Sequence, residues 1–372
     1  MLYFLLMFIL LVATDNVYNY KEFDQIINLK LKCSKNFTLP KNGIYNNFKN
    51  YFFTNKVKDI KNLKFTDLKI VASIGDSITA GFGVNNIRGG LQEYIGKNWA
   101  TGFDFDAYSL ANFIQFYSPN LVGGSVGKHL ISISNKCNIP YKHIPFFDKF
   151  NSAQSSARAC NGKQQVKWLI DQMQNTKYNV SYNHDWKFIS VLMGFNDVCQ
   201  YCKTNNYLEN FTINYRQLLN KLYEIPNAYI NIVQLFNGKE MELLRYKKTN
   251  LYCKHINILV GTYECPCLNN IVKTENYDFL QKLFDEYNTI IKNLVKEFNL
   301  LAITENRHDW YSKIVDVSID FSLYDFSNID CFHLSLSGQK KLALAVWNKL
   351  TANIDNYDTF YCLNNQTLKL IK

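Results

Sequence analysis

The chain has 372 residues, 47% hydrophobic and 19% charged, which supplies ample apolar volume for a core and excludes global disorder. Its formal net charge of +10 comes from lysines and arginines scattered along the sequence rather than packed into one run. That distribution argues against a nucleic-acid groove and for a solvated basic surface with mild attraction to anionic interfaces.

In chain order, residues 1–14 carry no charged side chain, and Met1 to Ala13 form an apolar run. At roughly a dozen residues, such a run reads as a signal-peptide core rather than a membrane span. Export is therefore expected. No later segment reaches about eighteen uninterrupted apolar residues, so no transmembrane segment is expected. Residues 15–65 are polar and without clear period, and read as a lead-in packing on the main domain.

Residues 68–74 read as a buried strand closed by Gly75, with a turn or helix beginning over 78–84. Val166, Leu169, Ile170 and Met173 recur at helical spacing within 161–174. Residues 186–193 form a second strand that runs into Gly194-Phe195-Asn196-Asp197, and 208–222 a helix. A third strand follows over 228–235. An apolar stripe then marks a long helix over 277–298, a short strand is expected at 300–304, and Ser337 is positioned to cap a helix over 340–350. Strands alternating with helices imply a parallel sheet with helices on both faces, in one large domain over 66–356 followed by a tail, 357–372.

Ten cysteines form an even set that fits disulfides in an exported chain. Cys199-x-x-Cys202 and Cys265-x-Cys267 are alternatively four thiolates for zinc, a weaker reading because the second spacing is imperfect. Glycosylation sequons begin at Asn36, Asn179, Asn210 and Asn365. The histidines at 129, 143, 184, 255 and 308 show no paired metal spacing, and Gly81 and Gly83 lack the lysine and hydroxyl of a phosphate loop. Neither a metal nor a cofactor is expected.

Ligands of open α/β sheets lie beyond the carboxyl ends of strands, and three polar signatures fall at such ends or in late loops: Ser77, Asn196 and His333. Each alone is an ordinary cap, turn or surface residue. Together they supply a nucleophile, a base and an oxyanion donor, the three requirements of acyl transfer. Asp330 lies three residues before His333, close enough to orient its imidazole, while the Asn196 amide and the Ser77 backbone N–H face a developing oxyanion.

The order GDSITAG, GFND and DCFH resembles the SGNH, or GDSL-type, hydrolases, and the stretches FYSPNLVGGSVG and DCFHLSLSGQKKLALAVWNKL are most similar to the secreted phospholipase B type. The likeness covers about residues 66–350. It implies a three-layer α/β/α fold with a central parallel sheet and a metal-free esterase. Ser77, Asp330 and His333 would be nucleophile, orienting acid and base, and Asn196 an oxyanion-hole donor. It also implies lipid or other acyl-ester substrates, with phospholipids and lysophospholipids favoured, and peripheral contact with lipid interfaces. Ser156 stands where the family carries an oxyanion-hole glycine; it keeps the N–H but lacks glycine's freedom at positive φ. The loop after Asn98 is shorter than in phospholipase B relatives. An esterase acting on other acyl esters, or a secreted binding protein that has lost turnover, are the alternatives.

Overall fold

The computed structural model describes residues 59–351 apart from 132, 134–136, 138–141, 237, 239–254, 256–263 and 275. The expected leader, most of the lead-in and the tail lie outside the described residues.

The described strands are β1 Leu68–Gly75, β2 Gln92–Glu93, β3 His129–Leu130, β4 Trp186–Leu192, β5 Ala228–Val233 and β6 Trp310–Val315. Four of them form one parallel sheet in the order β1-β4-β5-β6, while β2 and β3 pair as an antiparallel ribbon. The described helices are α1 Ser77–Ala80, α2 Leu110–Tyr117, α3 Pro145–Asp148, α4 Ala159–Met173, α5 Phe195–Val198, α6 Tyr207–Tyr223, α7 Pro266–Lys273, α8 Tyr277–Thr304 and α9 Leu336–Thr351.

Every residue of β4 is buried, which in a parallel sheet requires cover on both faces. One layer is α4, α6 and α8, packed side by side and reaching β1 through α4 and β6 through α8. In the other layer α2 and α9 meet through Phe113 and Trp347, whose rings lie 5.4 Å apart. The expected three-layer architecture is thus present. Inside β4, the buried Lys187 donates to the carbonyls of Tyr182, Asp185 and Pro226 at 2.6, 2.8 and 2.7 Å, so all three ammonium protons are satisfied at the amino-terminal end of the sheet.

Two details position the site. Gly75 of β1 lies opposite Leu192 of β4, so both strands end at one edge and the residues that follow them emerge as neighbours. The outer side of β1 is also occupied, because the Ser73 N–H donates to the Phe150 carbonyl at 3.0 Å and the Ser73 carbonyl accepts from Ser152 at 2.9 Å. The segment after Asn151 is thereby delivered to the same edge.

Two sequence expectations are corrected. Residues 300–304 are not a strand but the last turn of α8, since Phe298 and Ala302 continue its buried stripe at a spacing of four while Leu300 and Ile303 face solvent. The strand is instead β6, whose mixed burial and polar Ser312 and Lys313 obscure its pattern. At α9, Ser337 lies inside the helix and donates to Asp325 at 2.6 Å, and the Ser335 hydroxyl takes the capping position, accepting from the Gly338 N–H at 3.4 Å.

The cysteines pair as Cys137–Cys160, Cys199–Cys265 and Cys202–Cys267, Cys331 is also disulfide-bonded, and none of the described cysteines is free. The two cysteine motifs weighed as zinc ligands are therefore joined to each other as disulfides, leaving no thiolate for a metal.

Candidate active site

Ser77 opens the short helix α1 at the end of β1. The Asp76 carboxylate caps that helix by accepting from the Ile78 N–H at 3.0 Å, and Gly81 ends it in the left-handed conformation. Burial pushes Asp76 up to about 6, against the Ile78 N–H and the positive charge of His333. The strand end is braced by Gln165 of α4, whose amide accepts from the Gly75 N–H at 3.0 Å and donates to its carbonyl at 2.8 Å.

His333 arrives from a loop docked on the residues that follow Ser77. The Ile87 N–H donates to the Asn328 side chain at 2.7 Å and the Asn328 N–H to that of Asn86 at 3.0 Å. The Phe82 ring meets the imidazole edge-on at 4.8 Å. A Cβ at Gly83 would lie 2.9 Å from the His333 Cβ at a φ of +77°, so only glycine permits the approach.

The three side chains named from the sequence come together. His333 Nε2 lies 2.7 Å from Ser77 Oγ, and His333 Nδ1 lies 2.6 Å from Asp330 Oδ2. The other Asp330 oxygen accepts from the Phe332 and His333 N–H groups at 2.8 and 3.0 Å. A carboxylate at Nδ1 accepts only, so the ring carries its proton there and presents the Nε2 lone pair to the Ser77 hydroxyl. Ser77, Asp330 and His333 are 6%, 2% and 6% exposed, which shields the array from bulk water. Burial alone would raise Asp330, but the charge and hydrogen bond of His333 with the backbone donors hold it below its ordinary value. Burial opposes the charged imidazole, yet Asp330, with Glu264 and Asp76, holds His333 above its ordinary value.

Ser156 is the third residue of a turn from Gln154 to Ala157, closed by the Ala157 N–H to the Gln154 carbonyl at 3.2 Å. Its φ is +66°, the value a type II turn requires and glycine usually supplies. Serine here holds a backbone conformation that glycine ordinarily supplies. Asn196, half-buried at the start of α5, donates through Nδ2 to the Ala157 carbonyl at 3.0 Å, which links β4's end to this turn. Among the described residues the N–H groups of Ser77 and Ser156 make no hydrogen bond. The edge therefore offers a hydroxyl with a base, and beside it free backbone donors.

Other residues here carried weaker signals in sequence. Asp197, next to Asn196, accepts from the Ala159 N–H at 2.9 Å and so caps α4; loss of solvent pushes it up to about 7. Glu264 brings a ligand atom within 4.8 Å of such atoms on Asp330 and His333. That trio is the candidate metal grouping among the described residues, but both imidazole nitrogens are already engaged by Asp330 and Ser77.

A family profile described as GDSL-like Lipase/Acylhydrolase matches residues 71–346. The chain belongs to this family. The chain is 26% identical over 337 residues to a human protein named "Phospholipase B1, membrane-associated", covering 82% of this chain and 21% of that protein. The mouse protein of the same name is 25% identical over 364 residues, covering 90% of this chain and 22% of that one. The rat protein is 31% identical over 188 residues, 48% of this chain and 12% of its own length. The chain thus spans about a fifth of the human and mouse proteins. Among solved structures, a family 3 carbohydrate esterase of Clostridium thermocellum overlaps with a TM-score of 0.37 at 15% identity, covering 77% of this chain and 96% of that one. No described helix of this GDSL-like family member is long and apolar enough to cross a membrane.

Proposed function

We propose that the protein is a secreted serine esterase that hydrolyses fatty-acyl esters of phospholipids and lysophospholipids through an acyl-enzyme. The observation that carries this is the continuous hydrogen-bonded path from Ser77 Oγ through His333 to Asp330, at 2.7 and 2.6 Å. In the first step Ser77 Oγ attacks the ester carbonyl carbon while its proton passes to His333 Nε2. The carbonyl oxygen becomes an oxyanion held by the Ser77 and Ser156 N–H groups and the Asn196 amide. Collapse expels the glyceryl alkoxide, which takes the proton from His333. Water, deprotonated by His333, then attacks the acyl-enzyme, and its breakdown returns the proton to Ser77 Oγ and releases the fatty acid.

The names of the curated relatives favour a phospholipid substrate, and the net charge of +10 favours encounter with anionic lipid. Disulfides and the exposed sequon residues Asn179 and Asn210 favour an extracellular setting. A fold that binds without turning over was suggested by Ser156; its N–H and φ of +66° meet the requirement expected of the glycine it replaces and favour turnover instead. The test is release of fatty acid from phospholipid vesicles, and of short acyl groups from soluble esters, by wild type and Ser77→Ala. Release of long acyl chains that vanishes in Ser77→Ala is expected. Equal release by the folded variant overturns the nucleophile, and preference for the short esters overturns the lipid assignment.

A further inference from the structure

A buried charged cluster lies behind the Ser156 turn, on residues with no other place in the chemistry. The Glu93 carboxylate, on β2, accepts from the Ser155 N–H at 2.9 Å, and its other oxygen lies 3.5 Å from His129 Nδ1 on β3. His129 Nδ1 also lies 3.0 Å from the Leu130 carbonyl, and its Nε2 2.9 Å from Asp148 Oδ1. A carbonyl and a carboxylate both accept, so each imidazole nitrogen carries a proton and His129 is a cation between two carboxylates. The remaining Asp148 oxygen accepts from the Ile144 N–H at 2.6 Å and lies 3.5 Å from His143 Nδ1. His143 stacks on Trp168, with centroids 3.9 Å apart, and its Nδ1 also lies 3.5 Å from Gln154 Nε2. The cluster therefore reaches Gln154 and Ser155, the two residues that precede Ser156.

We infer that Glu93, fixed by His129 and Asp148, is a positioning residue that holds the Ser155 peptide so that the Ser156 N–H stays aimed at the reacting carbonyl oxygen. This rests on the assignment of Ser77 and Ser156 proposed above. A serine at a φ of +66° is disfavoured by its own side chain and would relax if the turn were unrestrained, rotating the peptide that carries its N–H. The downstream side of the turn is held by the bond from Asn196 to the Ala157 carbonyl. On the upstream side the Gln154 N–H makes a long bond of 3.3 Å to the Gly75 carbonyl, and the charge-assisted bond to Glu93 is the shorter restraint. One Glu93 oxygen is thus engaged by the Ser155 N–H, without drawing on the neighbouring Ser156 N–H, while the other faces the His129 imidazole at 3.5 Å. Burial pushes Glu93 up to about 7 against the Ser155 bonds and the His129 charge, so it is ionised at pH 8.

The experiment compares wild type, Ser77→Ala, Glu93→Ala, Glu93→Gln and Glu93→Asp at pH 8 on one soluble acyl ester, with thermal melting of each. Ser77→Ala tests the underlying site: turnover in that folded variant removes the site and the strut with it. With Ser77→Ala inactive, Glu93→Ala is expected to lose about ten- to a hundredfold in kcat with KM within about twofold, since the oxyanion donor is loosened rather than deleted. Glu93→Gln keeps an acceptor and is expected within about threefold of wild type, whereas the shorter Asp carboxylate cannot span to Ser155 and follows alanine. A structural role alone would lower the melting temperature and leave kcat per folded molecule unchanged. Wild-type kcat in folded Glu93→Ala, or equal losses in alanine and glutamine, overturns the proposal. Should alanine not fold, Glu93→Asp against Glu93→Gln decides, and equal kcat in those two overturns it.

Discussion

Ser156→Gly isolates the strain held at the proposed oxyanion turn. Left-handed backbone costs an L-residue roughly 1–2 kcal/mol, and glycine removes that cost. Against it stands the extra freedom of glycine in the unfolded chain, about 0.4–1 kcal/mol. Among the described residues the Ser156 side chain makes no hydrogen bond, so no such bond is lost there. The balance is a stabilisation of about 0.5–1 kcal/mol, or roughly 1–4 °C in Tm for a domain of this size. Turnover should be retained because the N–H remains. Ser156→Val reverses the sign: a β-branched side chain at a φ of +66° is a poor fit and should destabilise by about 2 kcal/mol or more while lowering kcat. Thermal melting and turnover of the three proteins provide the assay. Destabilisation by glycine beyond about 1 kcal/mol, or indifference to valine, would refute the reading of this turn as strained.

Asn196→Ala removes a proposed oxyanion donor and the bond to the Ala157 carbonyl, and kcat should fall about a hundredfold or more; near-normal turnover would contradict the role. His333 serves as base only when neutral, and Asp330 raises its pKa, so turnover should decline as pH falls through a value above the ordinary 6.5 of imidazole. In Asp330→Asn that limb should move to lower pH while the plateau falls by about a thousandfold or more, and an unmoved limb in the pH–rate profile would separate Asp330 from the titration. Lys187→Met strips the donor from three carbonyls, at about 1–3 kcal/mol for each acceptor left dry, so a loss of about 3 kcal/mol or more is expected in urea unfolding with activity per folded molecule intact. An unchanged urea midpoint would show those carbonyls to be hydrated.

The meeting of Ser77, Asp330 and His333 was legible because each sits in a short local motif: a strand end for the serine, and a spacing of three between Asp330 and His333. The sheet was legible for a similar reason, since β1, β4 and β5 are compact apolar runs closed by loop residues. β6 was misplaced because an edge strand with Ser312 and Lys313 loses the apolar pattern, while the Leu300-Leu301 pair imitates a strand inside a helix. Glu93 and His129 gave no signal. A lone glutamate in a polar stretch and an isolated histidine acquire meaning only when the ribbon pairs them and folds them against Ser155. Pairing of the Phe150–Ser152 backbone with Ser73 depends on hydrogen bonds that every residue can make, so no side chain announces it.

Ser77 and His333 stand 256 residues apart in the chain, yet the loops that carry them are clasped through Asn86 and Asn328. During synthesis the serine is an ordinary alcohol until nearly the whole domain has emerged, on the order of tens of seconds at about 5–20 residues per second. A ribosome-bound fragment thus lacks its base, and the Ser77 hydroxyl gains its partner only when the loop bearing His333 docks on the residues that follow the serine.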